Sequence, residues 1–304
     1  MNEYAFWSLI AFIFLGALAQ TQFPQFFDFE KDKFWEYLVF AGILSAIAVL
    51  IMTSIGNFMF GFIYSNYPEI KLYYEKTSKG SLFALLKALL SKKAGIVAVI
   101  VFLALFIIGG GRSFTQLDLS LWQHTLAYTF GVGLPEELFK LAVGLYFANR
   151  YVVNFDTLDK FDKRKLLAYK LKAIGIIGIA GIGFGFIEAI IYFMDYAKIA
   201  NHNEMVNAYI VRTIWCIPLH FSWTLIAGAI ATQLIFDTET SDEEGWFLIG
   251  AFFFGCIVSH GLYDALAHHN NKYFWWVGGI SMFIAYFFVL ARGKEKMNAI
   301  KIIK

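Results

Sequence analysis

Apolar residues run through this chain in blocks of roughly 17 to 25, the length an α-helix needs to cross about 30 Å of hydrocarbon. No water reaches peptide groups inside a bilayer, so such blocks must form helices that satisfy their own backbone hydrogen bonds. They predict an all-α fold, a polytopic transmembrane helical bundle of about eight spans. The expected spans are 4–19, 37–64, 94–110, 119–148, 173–194, 213–236, 246–268 and 273–291. Composition agrees: 59% of the 304 residues are hydrophobic and only 16% charged, against about 25% charged in soluble domains. No polar linker divides the blocks, so residues 1–304 read as a single integral membrane domain with a motif-bearing core at 119–270. Ala17-Leu18-Ala19 resembles a signal-peptide cleavage site, but Met1-Asn2-Glu3-Tyr4 lacks the positive charge of such a leader, so the first block reads as a retained span.

Orientation follows from the basic residues. Lys and Arg collect in the 65–93 loop, the 149–172 loop and the tail after 291, while the alternate loops are poor in them. That pattern places both termini in the cytoplasm. The stretch 81–90 is apolar but short and close to lysines, and reads as an interfacial helix on the inner leaflet. Net charge is +2, and no basic patch stands outside the membrane-flanking loops, so nucleic acid is not an expected partner. The two cysteines, Cys216 and Cys256, fall inside apolar blocks, which argues against a disulfide framework.

Ionisable side chains within spans are costly and default to function. Span 4 holds Pro135-Glu136-Glu137-Leu138-Phe139-Lys140, span 5 holds Glu188 and Tyr192, span 6 holds His220, and span 7 holds His260 and Asp264. Counting from the cytoplasmic span ends, Glu136, Glu188, His220 and His260 lie about 21, 24, 25 and 23 Å up. All four fall in one slab in the outer half of the membrane. Residues 119–148 would make a helix of about 45 Å, and Gly131, Gly133 and Pro135 predict a break there. A helix starting near Pro135 would aim free N–H groups at the glutamates. The glycines of span 5, from Gly175 to Gly185, read as close helix packing.

Peptide hydrolysis in a membrane needs water, a base and donors for the oxyanion. Glu136 and Glu137 supply carboxylates, of which one activates water. His220 and His260 polarise the carbonyl and protonate the leaving amine. Lys140, four residues after Glu136, compensates a charge, Asp264 orients His260, and Glu188 and Tyr192 support the site. No metal is required by this reading. The alternative is a zinc ion bound by Glu136, His220 and His260. Cys216 and Cys256 each precede a histidine by four residues, but antiparallel spans set them about 12 Å apart in depth, which argues against a Cys2His2 site. The chain has no H-E-x-x-H and no G-x-S-x-G. A proton-coupled transporter also places carboxylates beside a broken helix, but its inverted repeat is missing here. A non-catalytic module that binds membrane proteins is the third reading.

These residues resemble the PrsW family of intramembrane proteases, in the broad clan of the CAAX prenyl endopeptidases. The resemblance rests on Glu136-Glu137-x-x-Lys140, Glu188-x-x-x-Tyr192, Pro218-Leu219-His220 and His260-x-x-x-Asp264, in family order over residues 130–270. It implies a glutamate-dependent protease of the bacterial plasma membrane that cuts a membrane-anchored regulator, typically an anti-sigma factor, near the outer face. Ile187 stands where the family commonly has Phe. Lys140 and Asp264 favour the PrsW branch over the prenyl branch.

Overall fold

The computed structural model describes residues 36–37, 39–51, 54, 58, 115, 118–152, 163–196, 205–206, 210–236, 241–269, 271–291 and 293. These are helical, with short caps and turns and no strand among them. In chain order the helices are α1 (Val39–Ile51), α2 (Leu121–Tyr128), α3 (Leu134–Tyr151), α4 (Lys163–Tyr196), α5 (Ile217–Phe236), α6 (Asp242–Phe252), α7 (Ser259–His268) and α8 (Phe274–Ile284). Four π-helical stretches join or extend them: Thr129–Gly133, Val211–Cys216, Phe253–Val258 and Ala285–Ala291.

Among the described residues three helical runs are long and apolar enough to cross a membrane: Lys165–Tyr192, Thr213–Phe236 and Asp242–His268. They match the expected fifth, sixth and seventh spans. Val39–Ile51 and Phe274–Phe287 are shorter apolar helices at the expected second and eighth positions. The fourth region is long enough but carries Glu136, Glu137 and Lys140. The expected spans 4–19 and 94–110, the basic 65–93 loop with its interfacial stretch 81–90, and the tail lysines lie outside the described residues, so eight spans become three candidates here. The break expected near Pro135 takes another form, because the chain stays helical from Leu121 to Tyr151. Proline lacks an N–H and its ring clashes with the carbonyl four residues back, here Gly131. The backbone widens instead, with the Leu134 N–H bonded to the Thr129 carbonyl five residues away. No helix therefore starts at Pro135 with its free N–H groups aimed at the glutamates.

The chain divides into two compact units, each described only where its residues are. The first takes in Met1–Ala46, Glu137–Cys256 and Gly279–Lys304, and the second Ile47–Glu136 and Ile257–Gly278. One boundary falls between the two adjacent glutamates of α3.

In the first unit α4 is the central helix. It is apolar around its whole circumference, as a helix surrounded by protein must be, and 78% of its apolar window is buried. Ile174, Ile179 and Ile182 pack with Ile217 and Leu225 of α5 and with Ala285. Ala173, Ile176, Ile177 and Ala180 pack with Phe147 and Ala148 of α3 and with Tyr37 and Ala41. Glycine lets these backbones approach. A Cβ on Gly181 would lie 2.4 Å from the His220 carbonyl oxygen, one on Gly144 2.7 Å from Ile177 Cα, and one on Gly228 2.9 Å from Ile177 Cγ2. By contrast, only 22% of the apolar window in Asp242–His268 is buried, and Trp246, Phe247 and Phe254 are exposed. Apolar side chains turned outward over such a length fit a lipid-facing surface, and the protein is an integral membrane protein.

The second unit packs α2 and the Thr129–Gly133 stretch on α7. A Cβ on Gly261 would stand 2.4 Å from Thr129 Cα, and one on Gly133 2.8 Å from the Ile257 carbonyl oxygen. Gln123 accepts from the Ser120 N–H at 3.1 Å, closing the start of α2.

Gly181→Val should force α5 off α4 at His220 and destabilise the fold by about 1–3 kcal/mol. Gly250→Ala, whose new methyl meets nothing within 4 Å, should leave stability unchanged or slightly raised. Thermal unfolding in detergent micelles checks the contrast, and equal midpoints for the two variants would refute the packing.

Candidate active site

Three of the four π stretches end just before a residue singled out in the sequence. Gly133 precedes Glu136 by three positions, Cys216 precedes His220 by four, and Val258 precedes His260 by two. A π stretch shifts the helical phase of everything after it, and such insertions recur at functional sites. Pro135 and Pro218 each follow one by two residues, so the sequence marks the place through proline.

Glu136 and Glu137 are neighbours in the chain, but their side chains point in different directions. Successive helical residues project about 100° apart, so each glutamate meets its own partners. Glu137 belongs to the first unit, where its Oε1 accepts from Lys140 Nζ at 2.5 Å. Lys140 also donates to His220 Nδ1 at 2.9 Å, and His220 Nε2 lies 2.8 Å from Glu188 Oε2. Helices α3, α4 and α5 thus meet through one chain of charge-assisted hydrogen bonds. Glu137 and Lys140 are fully buried, and His220 and Glu188 are buried too.

This chain fixes a tautomer. An ammonium only donates, so Nδ1 of His220 must present its lone pair to Lys140. A neutral ring then carries its proton on Nε2 and donates it to Glu188. Protonating both nitrogens would turn an N–H toward the ammonium. Phe184 edges the same ring with centroids 5.2 Å apart, and Lys140 Nζ stands 4.7 Å from the Phe184 centroid, a cation–π distance. Trp223 closes another side at 5.9 Å. Neither aromatic was anticipated, because nothing in an apolar run distinguishes a residue beside the site from ordinary core. Lys140 was expected to answer Glu136 at the i+4 spacing; its ion pair is with Glu137 at i+3.

In the second unit Glu136 and His260 come together, both buried. Glu136 Oε2 lies 3.8 Å from His260 Nε2, and Asp264 Oδ2 lies 3.4 Å from the same nitrogen, one turn along α7. Both exceed a good hydrogen bond. Within each unit the level placement inferred from depth reappears as contact, between Glu188 and His220 and between Glu136 and His260. Tyr192 is half-buried on α4, one turn after Glu188. Cys216 and Cys256 are buried and outside any disulfide, and Cys256 donates to the Trp223 carbonyl at 3.3 Å, a structural contact.

Glu136 and His260 of the second unit and His220 of the first are the residue types, one carboxylate and two imidazoles, that catalytic zinc sites use with the fourth position open. The spacing of Glu136 and His260 suits such a site. Two ligands of one tetrahedral zinc stand about 3.4 Å apart, a few tenths of an ångström less than the 3.8 Å seen. His220 keeps its Nε2–H on a carboxylate, as metal-bound histidines do, and its Nδ1 lone pair, taken here by the Lys140 ammonium, binds an ion only once that side chain moves off it.

Lys140→Met should leave the Glu137 and Glu188 carboxylates buried without their cation and destabilise the protein by about 3–5 kcal/mol. Adding Glu137→Gln should recover a large part of that loss. Denaturant titration of the single and double variants tests this, and a double variant no more stable than the single one would contradict the pairing.

The family described as PrsW family intramembrane metalloprotease matches residues 83–291. Among curated proteins and among solved structures nothing matches the chain. The metalloprotease description favours the zinc alternative over the metal-free expectation, and the three residues named for it, Glu136, His220 and His260, are each buried.

Proposed function

The chain belongs to the PrsW family of intramembrane metalloproteases, and on that premise we propose that Glu136, His220 and His260 hold one divalent zinc ion and that the protein hydrolyses a peptide bond of a membrane-anchored protein. The observation that carries the reading is the burial of these three donors among carboxylates that orient them. Bound zinc supplies Lewis acidity toward a carbonyl oxygen and toward water. The chain's own residues do the rest. Glu188 holds the His220 ring by Nε2–H, and Asp264 stands beside His260 Nε2, the nitrogen that faces Glu136. Lys140 pairs with Glu137, and Glu137 takes the proton from the attacking water and returns it to the leaving amine. Tyr192 serves as a supporting donor. Phe184 and Trp223 shield the His220 ring and strengthen these charge interactions.

The substrate proposed is a single-pass regulator of the anti-sigma-factor type, cut near the outer face of a bacterial plasma membrane. Both termini of the protease lie in the cytoplasm, and residues 1–304 act as one protease domain. Support for the cleavage depth comes from the shared level of Glu136, Glu188, His220 and His260 along their spans.

Proteoliposomes carrying wild type or Glu136→Ala, Glu137→Ala, His220→Ala or His260→Ala, with a panel of single-pass substrates, test the reading. Each variant should lose at least about 100-fold in cleavage rate. Chelator should abolish wild-type cleavage and zinc restore it. Cleavage indifferent to chelator would overturn the zinc reading, and proton flux without cleavage would overturn the protease.

A further inference from the structure

Four of the six histidines take no part in the site above, and three of those four meet one another at the far end of the second unit. His124 is buried on α2. Its Nδ1 lies 2.7 Å from Nε2 of His269, which caps α7. The His124 and His268 ring centroids are 4.3 Å apart, those of His124 and His269 4.8 Å, and those of His268 and His269 5.5 Å. Tyr128, one turn after His124, places its hydroxyl 3.1 Å from His268 Nδ1.

We propose that His124, His268 and His269 form a second divalent transition-metal site, separate from the protease centre. Three imidazoles around one tetrahedral ion, with metal–nitrogen bonds of about 2.0–2.1 Å, hold their ring centroids roughly 5 Å apart. The three observed separations bracket that value. When Nδ1–H of His268 donates to the Tyr128 oxygen, its Nε2 lone pair is left for an ion, the outer support common to metal-bound histidines. His124 and His269 already aim ring nitrogens at one another. Opening that contact from 2.7 Å to the roughly 3.4 Å of two ligands on one ion is a small ring movement. Imidazole donors select zinc, copper(II) or nickel(II) over magnesium or calcium. His124 is buried, but His268 and His269 are exposed, so an ion has a path in.

The backbone supports the arrangement. Gly261 against Thr129 brings α7 and the α2 region into contact, so histidines 145 positions apart in sequence meet. His268 follows His260 by eight residues, about 12 Å along α7, too far to share an ion with it. An ion here would tie α2 to α7 above the residues that lead to Glu136 and His260.

The test uses full-length protein in detergent micelles, freed of any histidine tag, carrying Glu136→Gln and His260→Ala to silence the protease centre, and stripped with chelator. Titration calorimetry with zinc should show one equivalent bound, and copper(II) should give an electron paramagnetic resonance spectrum with nitrogen splitting from imidazoles. His124→Ala and His269→Gln should each weaken zinc binding at least tenfold, and Tyr128→Phe severalfold. His269→Gln and His268→Gln alter exposed positions and carry the test if the buried His124→Ala fails to fold. Absence of stoichiometric zinc binding, or an affinity unmoved by His269→Gln, would overturn the proposal.

Discussion

A lysine buried to the last atom has to be answered, because an ammonium without partners in a low dielectric is among the most costly groups a fold can hold. Lys140 is answered by Glu137 on its own helix and by His220 on α5, and His220 is answered in turn by Glu188 on α4. Three helices are therefore fixed in depth and rotation by one series of hydrogen bonds. Apolar packing alone is tolerant of sliding, since one isoleucine resembles another. The polar chain removes that tolerance and sets His220 in a single tautomer with a defined face.

Around this junction the small residues and the π stretches act together. Glycines on α4 let α5 come close enough for Glu188 to reach His220, and Gly185 itself lies against the His220 ring, where a Cβ would meet Cδ2 at 3.0 Å. The π stretches before Glu136, His220 and His260 rotate each side chain relative to the helix that precedes it. Glu136 and Glu137 turn to separate partners for the simpler reason that they are consecutive on a helix. A motif written as two adjacent glutamates is thus two different instruments, one carboxylate beside His260 and one paired with Lys140. Such a division suits a site that needs a metal ligand and a base.

The helical nature of the chain and the limits of its fifth to seventh spans were legible because length and apolarity are the properties a bilayer selects. Glu136, Glu137, His220 and His260 stand out for the same reason, since charge in those blocks has no cheap explanation. Pairings were less so. Whether Lys140 answers Glu136 or Glu137 depends on where His220 lies, and an i+3 and an i+4 partner look alike in sequence. Pro135 was read as a helix start, yet the neighbouring glycines accommodate it by widening the helix, and both solutions follow from the missing N–H. Phe184 and Trp223 were invisible among 34 phenylalanines and 8 tryptophans. His124 passed unnoticed because its partners stand at the other end of the fold's sequence.

The central claim is that Glu136, His220 and His260 share one zinc ion. X-ray absorption at the zinc edge tests it most directly, on protein carrying His124→Ala and His269→Gln so that one class of site remains. The account predicts one bound zinc with two imidazole nitrogens and oxygen ligands, with one imidazole lost in His220→Ala and one in His260→Ala. A zinc shell without imidazole, or one unchanged by both substitutions, would contradict it.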